Sequence, residues 1–169
     1  MFENLPELHR KDRQLPLEAC KEILQNAEYM VMATVDNNAI PYATPLSFVL
    51  FEDKIYFHSG MRKGHKVCNL AENPYCSLAV IGKTQPVYTK NFTTYFESVV
   101  VFGKVCEVIG SARKKAVLFA LAEKYLPEHM HNAEKDITAS LDRTKVYEIS
   151  LDKITGKAKK AAKEAPKEA

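Results

Sequence analysis

The sequence predicts one mainly β domain, an antiparallel barrel decorated by three helices. Three observations support this fold class. Short apolar segments rich in strand-forming residues outnumber the segments that show helical periodicity. Tight turns separate most neighbouring strands, which suits antiparallel pairing and not the long crossovers of a parallel sheet. The 169 residues make one ordinary domain, large enough to bury its own core.

The predicted elements follow in the order helix, three strands, helix, two long strands, helix and strand. Apolar residues that recur at three- and four-residue steps predict the helices over 16–27, 65–72 and 112–126. Short apolar runs bounded by turn residues predict the strands over 29–35, 39–51, 54–58, 75–81, 93–109 and 146–151. The segment 82–92 is predicted to be a loop, and Gly103 is predicted to mark a bend.

Two prolines lie within the second predicted strand, at Pro41 and Pro45. Because proline cannot donate a ladder hydrogen bond, we expect this strand to be bulged, bent or at a sheet edge. Bulged strands often lie next to active sites, where they present backbone to a ligand. The second strand is therefore a candidate ligand-binding strand.

The net charge of +3 resides in the segment 157–169, which contains five lysines and two glutamates. The rest of the chain, 1–156, is electrically balanced and is predicted to be the folded domain, with 157–169 as a solvated tail. Because a nucleic-acid-binding domain needs a basic face, no nucleic-acid partner is expected. No apolar run reaches the roughly 18 residues of a membrane span, and the polar segment 1–14 lacks a signal-peptide core. We therefore expect a cytoplasmic protein without membrane contact.

No metal site is predicted. His129 and His131 are interpreted as surface residues, because they have no obvious carboxylate or thiolate support as metal ligands. The cysteines show no C-x-x-C pair and are interpreted as small hydrophobic residues in a reducing compartment: Cys20, Cys68, Cys76 and Cys106.

The most informative segment is YFHSGMRKGHKVCNL at 56–70, where a strand ends and a helix begins. A helix N-terminus presents unpaired N–H groups and a partial positive charge, both of which attract anions. Arg62, Lys63 and Lys66 add charge, and the hydroxyl of Ser59 can bond a phosphate oxygen. The junction therefore predicts a phosphate-binding turn, with a solvated basic loop as the alternative. It matches neither the dinucleotide-binding G-x-G-x-x-G nor the phosphate loop G-x-x-x-x-G-K-[ST].

Four segments occur in an order and spacing that point to one family: RKDR at 10–13, PYATPLSF at 41–48, YFHSGMRKGHK at 56–66 and TTYFESVVVFGKV at 93–105. They resemble the FMN-binding split β-barrel family related to pyridoxamine 5'-phosphate oxidase, closest to its nitroimidazole-resistance branch. The ending VYEISLDKITGK at 146–157 is similar to the same branch. The resemblance covers nearly everything between residues 10 and 157, and it implies a split β-barrel with FMN as cofactor.

The resemblance also implies where the cofactor lies. The flavin ring would lie against one stretch of the second strand, formed by Thr44, Pro45, Leu46 and Ser47. The phosphate would lie at the strand–helix junction, near His58, Ser59, Arg62, Lys63 and Lys66. Ser98 would contact the flavin of a partner subunit, because the family's sites lie at the interface of a homodimer.

The activity stays open between two classes. The first is an FMN-dependent reductase acting on a small electron-poor molecule, with nitroaromatics as one substrate class. In that class His58 would orient the substrate or donate a proton, although it can equally make a structural hydrogen bond at the strand end. The second class is a non-enzymatic or haem-handling member of the same fold, and a deazaflavin in place of FMN is a further alternative.

Two departures from the oxidases narrow the substrate. The chain contains no tryptophan, so the oxidases' C-terminal substrate-binding residues have no counterpart, which argues against pyridoxamine phosphate. The loop between His58 and Arg62 is also shorter than in the oxidases, so the phosphate contacts of Arg62 and Lys63 need not match theirs.

Overall fold

A computed structural model describes Phe2, residues 5–88 and residues 92–160 of the chain. In this part the chain forms nine strands, four α-helices and three short 3-10 turns. The helices are α1 (Leu17–Asn26), α2 (His65–Glu72), α3 (Ser111–Tyr125) and α4 (Met130–Ser140). The strands are β1 (Gln14–Leu15), β2 (Tyr29–Val35), β3 (Pro41–Ser47), β4 (Val49–Phe51), β5 (Lys54–Gly60), β6 (Tyr75–Tyr88), β7 (Phe92–Glu107), β8 (Thr144–Ile149) and β9 (Lys153–Lys159). None of the helices described here is both long and apolar enough to span a membrane.

The strands form one antiparallel sheet in the order β3-β2-β6-β7-β8-β5-β4, with β9 paired to β7 and β1 paired to β9. β3 and β4 lie at opposite ends of this order, although only Phe48 separates them along the chain. The sheet therefore curls until its two ends meet on one continuous segment. Among the described strands no ladder joins β3 to β5, so hydrogen bonds leave the barrel open there. This confirms the predicted split barrel, and we call the gap between β3 and the end of β5 the split.

Two apolar clusters hold the barrel together. The main cluster fills the barrel beneath α1 and α2 and includes the fully buried Met30, Met32 and Phe48. The second lies between α3 and the β4–β5–β8 side and includes Tyr56 and Val117. α3 thus closes one side of the sheet, and α1 and α2 close another.

The second predicted strand is broken in two. Phe48 separates β3 from β4, and the paired part that contains Pro41 and Pro45 is an edge strand. The edge position satisfies both prolines, since a missing N–H on the outer side costs no ladder bond. The expectation that the prolines mark a bent or edge strand is confirmed.

The predicted loop over 82–92 is wrong for residues 82–88, which continue β6. Residues 84–88 pair with residues 92–96, after a register shift between Ile81 and Thr84. We call residues 82–88 and 92–96 the arm. Its apolar and aromatic residues are interrupted by polar residues and Pro86, so it lacks the apolar run by which strands are found in a sequence. At Gly103 the backbone of β7 lies close to Ser150, because a Cβ there would lie 1.9 Å from the Ser150 carbonyl oxygen; the bend at this residue stays a prediction.

Two further elements were not predicted. α4 is the fourth helix where three were expected, and its buried side consists of Ala133 and Ile137, one turn apart. β9 runs to Lys159, so residues 157–159 of the predicted tail belong to the sheet, where Ala158 is buried. Residues 161–169 of that tail lie outside the described part of the chain.

Candidate functional site

The residues predicted to hold a phosphate lie together where β5 ends and α2 begins. His58 and Ser59 stand at the end of β5, and Lys66 is the second residue of α2. Arg62 and Lys63 occupy the short connection between them and are exposed to solvent, whereas Ser59 and Lys66 are half-buried. The structure therefore brings these five residues to one end of the barrel.

The start of α2 is open to an anion. Gly64, at its N-cap, provides no side-chain hydrogen bond, and the first turn contains no acidic residue. The first N–H groups of a helix have no partner within the helix, and the helix dipole adds a partial positive charge there. A Cβ placed on Gly60 or Gly64 would meet no atom within 4 Å, so the space beside both is free. A phosphate-sized anion fits this arrangement.

The basic side chains of the junction lack acidic partners. Arg62, Lys63 and Lys66 form no ion pair with any residue of the described ranges. In contrast, Lys54 on β5 and Lys145 on β8 are each paired with a glutamate at 2.8 Å. The positive charge at the junction is therefore not neutralised by the chain itself.

His58 has a neutral imidazole at neutral pH. Its ring is exposed in the single chain, yet the neighbouring protein desolvates it and the Lys66 ammonium repels a proton, and both effects lower its pKa. A neutral imidazole both donates and accepts hydrogen bonds, so it can orient a ligand without adding charge.

We expect the His58 ring to titrate below the ordinary histidine pKa of about 6.5. Because Lys66 contributes to the lowering, Lys66→Ala should raise the midpoint, whereas Lys104→Ala, which removes an exposed lysine from β7, should leave it unchanged. The measurement is an NMR titration of the imidazole protons. A midpoint above the ordinary value, or one insensitive to Lys66→Ala, would contradict the assignment.

The residues predicted to contact the flavin ring follow one another on β3: Thr44, Pro45, Leu46 and Ser47. Thr44 and Leu46 lie opposite buried methionines of β2, so their side chains point to the core side of the sheet. Pro45 points to the outer side and is exposed. The other edge of β3 carries no ladder among the described strands, so backbone groups of β3 remain available at the split.

Ser98 lies away from both groups, on β7. Its neighbour Val99 is fully buried, so Ser98 and Val100 face the outer side of the sheet. Three strand spacings, about 14 Å along the sheet, separate β7 from β3. A contact of Ser98 with a ring bound on the same chain's β3 is therefore not favoured by this placement.

None of the ten predicted site residues lines the cavity of about 840 Å³ beside α1. That cavity is bordered instead by exposed apolar side chains of β2 and β6, including Tyr29, Val31 and Ile81. The candidate site residues therefore lie outside this cavity, on the surface of the single chain.

Residues 16–158 match the family model described as pyridoxamine 5'-phosphate oxidase. The chain belongs to the pyridoxamine 5'-phosphate oxidase family. The match spans all ten predicted site residues and confirms the family resemblance found in the sequence. No curated protein gives a significant match to the sequence.

Solved structures share the fold of this oxidase-family member at low identity. A candidate 5-nitroimidazole antibiotic resistance protein from Bacteroides thetaiotaomicron is 21% identical, with a TM-score of 0.74 and 86% of each chain covered. The flavocytochrome Anf3 from Azotobacter vinelandii is 20% identical, with a TM-score of 0.73 over 92% of this chain and 73% of its own. The FAD- and haem-binding protein from Mycobacterium smegmatis is 19% identical, with a TM-score of 0.71 over 88% of this chain and 74% of its own.

The cysteines and the histidine pair do not join the candidate site as metal ligands. Within the described ranges no group of three or more His, Cys, Asp or Glu is placed to hold a metal ion. Cys20 and Cys76 are buried, and burial raises the pKa of Cys76 to about 12. Cys68 is exposed because α2 buries Asn69 and Leu70 instead, and Cys106 on β7 is exposed as well, so neither packs in the core as a small hydrophobic residue.

Sequence reasoning missed the side chain that holds the break after β3. The backbone N–H of Phe48 donates to the hydroxyl of Tyr125 at 2.9 Å. The same hydroxyl lies within hydrogen-bonding reach of the carbonyls of Phe48, at 3.0 Å, and Glu28. Phe48 is fully buried and outside both strands, so Tyr125 satisfies backbone groups that would otherwise be orphaned.

Lys124, beside Tyr125, is a half-buried residue whose ammonium nitrogen is buried without a hydrogen bond. Its Nζ lies 4.0 Å from the centre of the Phe48 ring and has no hydrogen-bond partner in the described part of the chain. Desolvation lowers its pKa to about 8. The contact with the ring offsets only part of the cost of removing an ammonium from water.

Lys124→Met should therefore stabilise the protein by about 1–2 kcal/mol at neutral pH, because methionine fills similar space without a charge. The unfolded lysine has a pKa of about 10.4. Between about pH 8 and 10.4 the unfolded wild type binds more protons than the folded wild type, so the wild-type free energy of unfolding rises with pH. The stability advantage of Lys124→Met therefore shrinks across this range. Urea unfolding across this range measures the difference, with the exposed Lys135→Met as control. A variant less stable than wild type at neutral pH would show that the ring contact outweighs desolvation.

Proposed function

We propose that this protein is an FMN-binding flavoprotein that reduces a small, electron-poor molecule. The observation that carries the proposal is the uncapped start of α2, where Arg62, Lys63 and Lys66 have no acidic partner among the described residues. Membership of the oxidase family supports a flavin at this position. Two proteins of the same fold are described as a flavocytochrome and as an FAD- and haem-binding protein, which agrees with a flavin.

The chain offers separate groups for the two ends of FMN. The phosphate would be held by the N–H groups of α2, by Ser59 and by the charges of Arg62, Lys63 and Lys66. The ring would lie along β3, where an edge strand leaves backbone groups unpaired. When bound, FMN supplies the electron and hydride transfer that no side chain provides.

His58 would contact the substrate, and its neutral ring would add no positive charge to the phosphate site. With its lowered pKa it is neutral, so it can hydrogen-bond a polar group of the substrate or pass it a proton. The barrel holds the cofactor and orients it, and a covering subunit would exclude water from the ring.

The covering element in this proposal is a second copy of the chain. The outer side of β2, β6 and β7 carries the apolar side chains Val31, Ala79, Ile81 and Val100, which the single chain leaves exposed or half-buried. A two-fold dimer through this face buries it twice and yields two equivalent sites. Ser98 lies on the same face, so in this dimer its side chain would contact the flavin of the partner subunit.

Nitroaromatic compounds are the proposed substrate class. One protein of the same fold is a candidate 5-nitroimidazole resistance protein, and this chain has no tryptophan with which to copy the oxidases' substrate site. A haem-handling role is the second candidate, because one protein of the fold is described as FAD- and haem-binding and another as a flavocytochrome.

The visible spectrum of the purified protein tests the proposal. We expect a flavin spectrum, either as purified or after addition of FMN, and at least tenfold weaker binding of riboflavin, a difference of about 1.4 kcal/mol. Anaerobically reduced protein should then be reoxidised by a nitroimidazole.

Each outcome bears on one part of the proposal. Equal affinity for FMN and riboflavin would contradict the phosphate site. A haem spectrum without flavin binding would favour the second candidate function, and flavin binding without reoxidation would contradict the nitroaromatic reductase.

A further inference from the structure

We infer that a buried polar pair, Asn69 and Thr34, together with the ring contact between Tyr42 and His65, sets the spacing between the phosphate end and the ring end of the proposed flavin site. All four are positioning residues, and none was among the predicted site residues. The inference rests on the proposed function, because it concerns how that site is held.

The two ends of the site lie on elements that backbone pairing does not join. β3, with the proposed ring contacts, pairs only with β2, while the end of β5, before the phosphate turn, pairs with β8. Among the described strands no ladder crosses the split. Near Phe48 the chain itself holds the split, because β3 continues into β4 and β4 pairs with residues 54–56 of β5. Beyond residue 56, towards the phosphate turn, the spacing between β3 and α2 depends on side chains.

Asn69 and Thr34 are the buried polar residues of the described core, with 2% and 1% of their surface exposed. The amide nitrogen of Asn69 donates to the hydroxyl oxygen of Thr34 at 3.1 Å, and that hydroxyl faces the carbonyl of Tyr42 at 3.4 Å. The chain of contacts runs from α2 through β2 to β3. A buried polar pair has one satisfied geometry, whereas apolar side chains of the same size can slide.

A second contact joins the same elements at the mouth of the site. The ring of Tyr42, on β3, lies 4.2 Å from the ring of His65, the first residue of α2. His65 and Asn69 are four residues apart and so share one face of the short helix. This face contacts β2 and β3, so the two contacts fix the rotation of α2 and with it the position of Lys66.

FMN binds through both its phosphate and its ring only when the phosphate end and the ring end of the site are correctly spaced. Two contacts made by one molecule both contribute fully only when the distance between their binding groups on the protein matches the distance between them in the ligand. A poorly placed second contact contributes little to the affinity. A shift of α2 relative to β3 should therefore weaken the phosphate contribution and leave the ring contribution largely intact. Riboflavin, which lacks the phosphate, reports the ring contribution alone.

The test is the ratio of riboflavin to FMN dissociation constants in the double variant Thr34→Val/Asn69→Leu. Removing both partners avoids an orphaned buried group, so the variant should fold. We expect the ratio to fall at least fivefold from its wild-type value, with riboflavin affinity changed less than twofold. Ser150→Ala, which removes a hydrogen bond to Lys104 at the far side of the sheet, is the control and should keep the ratio.

Tyr42→Leu provides a second variant that does not disturb the core pair, since Tyr42 is only half-buried. It too should lower the ratio, whereas a direct contact between Tyr42 and the ring would weaken both ligands equally. If both variants fold and keep the wild-type ratio of riboflavin to FMN dissociation constants, the inference is overturned, and the proposed flavin site is not affected. Failure of the wild type to bind either ligand would instead overturn the proposed function.

Discussion

Val100→Glu should convert the proposed dimer into a folded monomer that has lost its flavin. Val100 lies between two fully buried residues of β7, Val99 and Val101, so its own side chain faces the outer side of the sheet. There it stands in register with Ala79 on one side and Thr155 on the other. A carboxylate at this place adds no charge to the core, and folding should survive.

In the proposed dimer the same carboxylate would be buried against the partner without a counter-charge. Such burial costs several kcal/mol, so the dimer dissociation constant should rise at least about 100-fold, or roughly 2.7 kcal/mol. Because the site is open on a single chain, flavin content should fall together with association. Sedimentation at micromolar concentration and the flavin absorbance per chain measure the two effects.

Ile109→Glu is the matched control, because Ile109 follows β7 and is 83% exposed away from this face. It should remain dimeric and loaded with flavin. A Val100→Glu protein that stays dimeric would move the interface elsewhere, and one that unfolds would mean that Val100 packs internally. A wild-type monomer that binds FMN tightly would refute the shared site altogether.

The edge strand and the phosphate turn could be predicted because their signals are local. Pro41 and Pro45 exclude a central strand wherever they occur, and they proved to lie on the edge strand β3. The turn gathers Arg62, Lys63 and Lys66 within one strand–helix junction, so a short segment of sequence contains the whole pattern. Local chemistry of this kind needs no knowledge of the fold.

The arm and the last strand could not be predicted, because long-range pairing creates them. Residues 84–88 (TQPVY) contain a proline and no apolar run, and they form a strand by pairing with residues 92–96. β9 begins and ends with lysines, and its ladder with β7 joins residues 51 to 63 positions apart in the chain. Strand propensity depends on such neighbours more than on the residue itself.

The residues that hold the site together were also invisible to sequence reasoning. Tyr125 and Phe48 are 77 positions apart, and Asn69 and Thr34 are 35 positions apart. An asparagine beside a leucine in a short helix gives no sign that it is the buried member of the pair. Only the curled sheet brings these partners into contact.

Arg62→Ala/Lys66→Ala should weaken FMN binding by roughly 2–5 kcal/mol. Each charged hydrogen bond to phosphate contributes about 1.5–3 kcal/mol, and the total is expected below the sum because solvent screens the exposed Arg62. This corresponds to a loss of tens- to thousands-fold in affinity. Riboflavin binding should change little, since it lacks the phosphate. The stability of the flavin-free protein should also change little, because neither side chain has an ion-pair partner in the described part of the chain.

Lys104→Ala/Lys135→Ala is the control, since it removes two exposed positive charges at a distance from the junction. Isothermal titration with FMN and riboflavin measures the affinity of both double variants for each ligand. Raising the ionic strength should reduce the difference in FMN affinity between wild type and Arg62→Ala/Lys66→Ala. If the control lost as much affinity, bulk charge would account for binding. If riboflavin affinity fell as steeply as FMN affinity, Arg62 and Lys66 would act on the ring, and the phosphate would have to lie away from the start of α2.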